Sequence, residues 1–452
     1  MMNRKYSRCF CLMGVALVTY HLSLVTASAQ PKPWTLRECC DYAVAHNISI
    51  KQQDNRCRQQ ELQLSTARNS RLPDLSASIG ENFSFGRGLT AENTYTNTNT
   101  SSTSFSLGTS VPLFTGFQIP NNIKLNQLNL EAATQDLEKA KNDIRTQVAQ
   151  AYVQILYDME IRDVAQRQIA IDSQQVHRLQ VMLDNGKASP AELSQQQATL
   201  AQSRLTATQA DNQLQLDILA LTQLLELPSP EGFSIVRPDP DALPSSLNPQ
   251  QTSPELIYQE ALTARPEVAA EQLRLQGTEN SIKIAQSALY PSLSFSAGLG
   301  TNYYKTSGFV ADGFGKQLKN NFSQYLGLNL SIPIFNRFST RNNIRSARID
   351  QETQQLQLDN VKKQLYKEIQ QVYYNAIAAK QKWESSQQAM LAAQDAFTLM
   401  QAKYENGKAN LTEFNETKNA YLKSESDLVQ AQYEYLYQSH LLDFYRGRTL
   451  DF

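Results

Sequence analysis

The side chains best placed to do chemistry in this chain are carboxylates. Glu192 lies three residues after Ser189, Glu413 three after Asn410, and Glu416 three after Glu413. A Ser or Asn followed at that spacing by Glu is the pattern of a reciprocal helix cap, and Glu413 and Glu416 fall on one helix face. Carboxylates so placed hold backbone amides and attract cations. To make or break bonds they would need partners that the sequence lacks. It has no Ser-His-Asp, phosphate-loop, dinucleotide or metalloprotease pattern, and His46, His177 and His440 stand alone. No metal, cofactor or enzymatic activity is expected. A net charge of −1 gives no reason to expect a nucleic-acid partner.

Residues 1–29 read as an export signal: Arg4, Lys5 and Arg8, then a short apolar run, then Ala27-Ser28-Ala29 as a cleavage site, with the mature chain starting at Gln30. Cys39, Cys40 and Cys57 remain after it. Cys39 and Cys57 are 18 residues apart in a helical stretch, about 27 Å at 1.5 Å per residue, so they are expected to be free thiols. Neither early cysteine has the small-residue context of a lipoprotein site. Mean hydropathy is −0.46, and no apolar run of spanning length follows the signal. Contact with a membrane would therefore need strands or a surface-lying helix.

The elements that position the carboxylates are duplicated. Val111-Pro112-Leu113-Phe114 resembles Ile332-Pro333-Ile334-Phe335 at a shift of 221 (112 to 333), and Asn121-Asn122-Ile123 and Asn185-Gly186-Lys187-Ala188 recur at the same shift. Residues 30–227 form a first repeat: helix 35–72, strands 73–114, helical hairpin 115–227. A Pro-rich linker, 228–254, leads to a second repeat, 255–446: helices 255–290, strands 291–335, hairpin 336–446. Residues 447–452 form a tail. The stretches 121–185 and 342–406 lack Gly and Pro and span about 100 Å each as helices. Ile144, Val148, Tyr152, Ile155 and Met159 form a narrow coiled-coil stripe. Gly186 and Gly407 end the long helices, and Pro190 suits a first helical turn.

The strands alternate. Leu326, Leu328, Leu330 and Ile332 face one way, and Tyr325, Gly327, Asn329 and Ser331 the other. Leu293, Phe295 and Leu299 alternate with Ser and Gly. Leu75, Ala77, Ile79, Phe83 and Phe85 repeat the pattern with Glu81 as a break. Strands of about ten residues with a small, uncharged polar face fit a transmembrane barrel, lipid outside and water inside. A half-buried sheet in a soluble sandwich gives the same alternation. Residues 90–103 and 305–321 are polar and read as irregular external loops. Four strands per chain cannot close a barrel, so membrane insertion requires an oligomer.

These features in this order resemble the TolC-like outer-membrane efflux family, over essentially the whole mature chain. The resemblance implies a mainly α fold with a small β part. Long helical hairpins would form a trimeric α-barrel tunnel joined to a 12-stranded trimeric transmembrane β-barrel. It implies a homotrimer in the outer membrane of a Gram-negative cell. The chain would be the exit duct of a tripartite efflux or type I secretion system, with a periplasmic adaptor and an inner-membrane transporter as partners. The lipid-facing positions would be Leu293, Phe295, Leu326, Leu328, Leu330 and Ile332. The tips Gly186, Lys187, Gly407 and Lys408 would meet the adaptor. Glu413 and Glu416 match the family's acidic constriction, with Tyr404 and Glu192 as hydrogen-bonding gate partners. Ala409 departs from the family, which often has a basic residue there, and Lys408 is the nearest replacement. The linker and tail would belong to a belt around the tunnel. A periplasmic or cell-surface coiled-coil scaffold is the alternative. It explains the hairpins and leaves the amphipathic strands without a purpose.

Overall fold

The computed structural model describes residues 33–89, 93–238 and 253–450. The expected export signal and the middle of the linker lie outside them. The first repeat holds α1 (Leu36–His46), α2 (Ile48–Asn69), β1 (Asp74–Leu89), β2 (Tyr95–Thr115), α3 (Gln118–Asp184) and α4 (Pro190–Leu224). The second holds α5 (Pro254–Ala264), α6 (Pro266–Ser287), β3 (Ser292–Thr306), α7 (Phe314–Asn320), β4 (Ser323–Ser331), α8 (Ser339–Glu405) and α9 (Leu411–Tyr445). No described helix is long and apolar enough to cross a membrane.

The duplication is carried into geometry. The long helices α3 and α8 have 67 residues each, and α4 and α9 have 35 each. All four boundaries are displaced by the same 221 positions (118 to 339, 184 to 405, 190 to 411, 224 to 445). Both long helices start without a side-chain cap, behind a phenylalanine in the left-handed region: Phe117 at φ 68° and Phe338 at φ 64°. Each of these rings sits edge-on against the phenylalanine three residues earlier, Phe114 at 5.3 Å and Phe335 at 5.6 Å. Aromatic packing of this kind offsets part of the cost of left-handed backbone.

Helices stack end to end beside the long ones, and a polar device marks each junction. The expected single helix 35–72 breaks at Asn47. This residue ends α1 and caps α2 by accepting from Ser49 N at 2.9 Å, and its Nδ2 donates to the Leu224 carbonyl at the end of α4 at 3.0 Å. An asparagine favours a cap over a helix interior, so one residue both breaks the helix and joins it to α4. In the second repeat Arg265, just before α6, lies over the rings of Phe444 and Tyr445 at the end of α9, at 5.1 and 4.7 Å. The main apolar cluster sits mid-helix. Ile144, Val148, Tyr152 and Ile155 of α3 are buried with Leu36, Leu221 and Leu436, and Met159 packs at its margin. Ile235 of the linker and Leu450 of the tail join the same cluster. The linker is therefore not wholly irregular: Trp34 and Ile235 form a parallel bridge, and the Tyr152 hydroxyl donates to the Val236 carbonyl at 2.7 Å.

The four strands form one antiparallel sheet in the order β1-β2-β3-β4. Leu107 faces Leu299 across β2 and β3, and Phe295 faces Leu328 across β3 and β4. Three of the strands are longer than the expected ten residues, with 16 in β1, 21 in β2 and 15 in β3. The supposed loop 90–103 is strand from Tyr95 on, because its Thr and Ser residues pair with β1 up to Leu89↔Tyr95 and suit a pleated surface. The other supposed loop, 305–321, contains α7. Pro112 does not end β2, which continues to Thr115 through a register shift between Pro112 and Phe114, a place where a missing N–H is tolerated. β4 stops at Ser331, so Ile332 lies one residue beyond it.

Gly116 joins β2 to α3 at φ 61°, and a Cβ there would be driven into the Ser287 carbonyl oxygen and lie 3.0 Å from Tyr290 Cβ. Its counterpart Arg337 has φ 55° and is exposed. Gly116→Ala adds a left-handed cost of about 1 kcal/mol to a clash with backbone. It is expected to reduce the yield of heat-modifiable trimer in outer-membrane fractions severalfold, whereas Arg337→Ala leaves it unchanged.

Candidate gate at the hairpin tips

The two tips are built alike. α3 ends with Gly186 at φ 70°, where Lys187 N donates to the Met182 carbonyl at 2.7 Å. α8 ends with Gly407 at φ 69°, where Lys408 N donates to the Lys403 carbonyl at 2.9 Å. These bonds close the Schellman arrangement that left-handed glycine permits. Nothing lies within 4 Å of a Cβ built on either glycine, so backbone conformation alone demands Gly. Ser189 with Glu192 and Asn410 with Glu413 form full reciprocal caps. The amide and hydroxyl of Ser189 hold the Glu192 carboxyl below the usual carboxylate range. Glu413, Glu416, Lys187 and Lys408 are exposed.

Tyr404 packs between the two hairpins. Its ring stacks on Phe414 at 4.8 Å, and the Arg178 guanidinium lies 5.1 Å above it while donating to the Glu405 carbonyl at 3.1 Å. The aromatic run continues through Phe397 to Tyr421. Glu192 is occupied with its own cap. Within one chain the tips are thus joined by an arginine–aromatic contact. Arg178 is a cation at the tips that sequence reasoning missed. Nothing in local spacing singles it out, because its partner is 226 residues away (178 to 404).

Above the tips, the seam between α3 and α9 contains a buried polar cluster that sequence reasoning missed. Lys418 and Asp172 are ion-paired with both side chains at 0% exposure. Gln196 Nε2 and Ser203 Oγ donate to the two Asp172 oxygens at 3.2 and 2.5 Å. Lys418 also donates to Asn415 Oδ1 at 3.3 Å, and Asn415 Nδ2 donates to Gln196 Oε1 at 3.1 Å. Arg167 and Glu425 add a second α3–α9 bridge at 2.6 Å. Higher still, Asp158 of α3 is buried against Asp217 of α4, and burial with that neighbour pushes its carboxyl up to about 7.

At the other end of the chain, Leu326, Leu328 and Leu330 are exposed, and their cross-strand partners Ala297, Phe295 and Leu293 are half-buried. Glu81 breaks the apolar series of β1, and its carboxylate accepts from the hydroxyls of Ser101 at 2.8 Å and Thr103. Tyr325 lies on the polar face over Gly298, where any Cβ would meet its ring.

The family described as outer membrane efflux protein matches residues 40–226 and 257–448. The outer membrane efflux protein BepC of Brucella suis is 22% identical over 408 residues, covering 90% of this chain and 84% of the relative. The pyoverdine export outer membrane protein OpmQ of Pseudomonas aeruginosa is 24% identical over 386 residues, covering 79% and 73%. Among solved structures, the channel CusC superposes with a TM-score of 0.76 at 17% identity over 92% of each chain. The outer membrane protein VceC of Vibrio cholerae superposes with a TM-score of 0.72 at 17% identity over 92% of this chain and 97% of its own. These structures share the fold.

Lys418→Met leaves Asp172 buried without its cation, a change of about 3–5 kcal/mol. The α3–α9 seam is expected to become protease-sensitive near the tips, and Asp172→Asn in the same chain should restore most of the protection. The Asp158 carboxyl has a folded pKa near 7 against an ordinary 3.8, so the folded state holds the extra proton between these values. Stability contributed by this pair is therefore full below the ordinary value and falls as pH rises toward and past 7. Thermal unfolding of the trimer should shift upward from pH 8 to pH 5, and Asp158→Asn should flatten that dependence.

Proposed function

Because the chain belongs to the outer membrane efflux protein family, it is an outer-membrane exit duct of a tripartite efflux system, and we propose which of its residues gate it, meet its periplasmic partner and face lipid. The scaffold alternative gives way, since the family match runs through both repeats and their strands. The fold is that of trimeric channels, in which three copies join their four strands into twelve. The family is one of ducts, and no residue is proposed for catalysis.

In a threefold assembly Glu413 and Glu416 become two rings of carboxylates, which favour cations as acidic rings do in channels. The observation that carries this reading is their exposure on one helix face just above Gly407, while Tyr404 and Phe414 turn into the packed seam. The Arg178–Tyr404 contact holds the two tips of a chain together against repulsion within the rings, and Glu192 fixes the first tip through its own cap. Gly186, Lys187, Gly407 and Lys408, at the ends of helices about 100 Å long, are the surface for a periplasmic adaptor, behind which stands an inner-membrane transporter. Leu293, Phe295, Leu326, Leu328, Leu330 and Ile332 face lipid. Relatives are named for pyoverdine export and for toxin and drug export. Such different cargoes on one fold support a reading in which the transporter selects the substrate.

Glutamine at position 413 keeps the reciprocal cap, so Glu413→Gln with Glu416→Gln removes charge and spares the helix. Planar-bilayer recordings of the purified trimer should show reduced cation selectivity and weaker block by multivalent cations, with assembly intact. Unchanged selectivity would leave both glutamates as solvent-facing residues and move the gate elsewhere.

A further inference from the structure

Toward the end of the strands away from the helices, the outward face of the sheet becomes basic. On β3 the parity of Leu293, Phe295 and Leu299 continues through Tyr303 to Lys305, and on β1 that of Ile79, Phe83 and Phe85 continues to Arg87. Both strands start beside helices, so these residues lie at the end away from the tunnel. α7 lies on the same face. Phe314 packs edge-on against Phe105 at 6.3 Å and Tyr303 at 5.2 Å, and the Leu318 carbonyl accepts from Thr301 Oγ1 at 2.6 Å. Phe105, Thr301 and Tyr303 all share the parity of Leu299. Gln317 fixes the helix to the strand, accepting from Tyr304 N at 2.9 Å and donating to the Tyr304 carbonyl at 3.0 Å.

α7 thereby holds Lys316 and Lys319 over the stretch of β3 from Thr301 to Lys305, and all three lysines are exposed. Among the described residues of the four strands and of the loops that join β1 to β2 and β3 to β4, every basic side chain is at this end: Arg87, Lys305, Lys316 and Lys319. Among the described residues, the acidic groups on this face are Asp312, bound to Lys316 at 2.9 Å, and Glu81, held by its two hydroxyls. Tyr303 lies two residues before Lys305 on the same face, and Tyr95 sits beside Arg87, whose guanidinium is 5.9 Å over its ring. Aromatic rings mark the depth where a barrel meets headgroups. A cation at that depth faces the headgroup layer, where anionic phosphates attract it.

We propose that Arg87, Lys305, Lys316 and Lys319 form an outward basic girdle that binds the phosphate groups of phosphorylated glycolipid headgroups in the outer leaflet. The inference rests on the lipid-facing assignment made above. Around the trimer the girdle carries four cations from each of three copies, on a face that the same strands cover with apolar side chains nearer the tunnel.

The test uses the full-length trimer in neutral detergent, titrated with diphosphorylated lipid A or with phosphatidylcholine and read by native mass spectrometry. At least tenfold tighter binding of the phosphorylated lipid is expected. It should be lost in the variant Arg87→Ser, Lys305→Ser, Lys316→Ser, Lys319→Ser and kept in Lys305→Arg, Lys316→Arg, Lys319→Arg. Equal binding by the serine variant overturns the proposal, as does displacement of the lipid by millimolar inorganic phosphate, which would mark a simple anion site. If the face assignment is wrong and these cations line the lumen, the serine variant will shift single-channel ion selectivity and leave lipid binding unchanged. If only the girdle is wrong, neither will change. Should the serine variant fail to assemble, Lys316→Ser with Lys319→Ser leaves every strand intact. It should weaken binding at least threefold, and unchanged affinity there overturns the proposal.

Discussion

A strand in hydrocarbon cannot leave its backbone N–H and C=O groups unpaired, because nothing around it will bond to them. The sheet of this chain has four strands and two free edges, β1 and β4. Each edge needs another copy. Assembly is therefore a condition of membrane insertion, and the helices inherit it. α8 carries Leu356 and Leu399 exposed at 69% and 67%, and α2 carries Leu62 exposed at 69%. These apolar residues lie toward the two sides of the helical layer and suit the same closure. The fold of one chain is a third of a tube at both ends.

Within that third, the apolar core is thin. The long helices bury narrow stripes, and much of their surface is Gln, Asn and Ala. Polar devices carry the order that a wider core would give. Asn47 joins two stacked helices, Arg265 caps a junction from above two rings, and Glu192 and Glu413 fix the tips. Each acts where helix ends meet, since unbonded backbone groups concentrate there.

What the sequence made legible were features with a local or periodic cause. Gly186, Gly407 and the two caps are spelled by a few adjacent residues, and the 221-residue shift required only self-comparison. The break at Asn47 was missed because residues 35–72 contain no Gly or Pro before Pro73, and the asparagine acts through a carbonyl 177 positions away. Strand ends were misjudged where Thr and Ser suited both a loop and a long hairpin. The Arg178–Tyr404 contact and the Asp172 cluster join parts of the chain that have no common spacing. They appear only once the two helical hairpins lie side by side.

Lys418 has a consequence for axial phase. A seam made of small and amide side chains is tolerant of sliding, because one Ala or Gln replaces another at little cost. A slide of α9 along α3 by one helical turn, about 5.4 Å, would take the ammonium of Lys418 away from Asp172 and leave both charges dry. The buried pair therefore acts as a detent. It sets the height of the second tip relative to the first to within a turn, near the lower end of helices 67 residues long, where small errors in packing would otherwise accumulate.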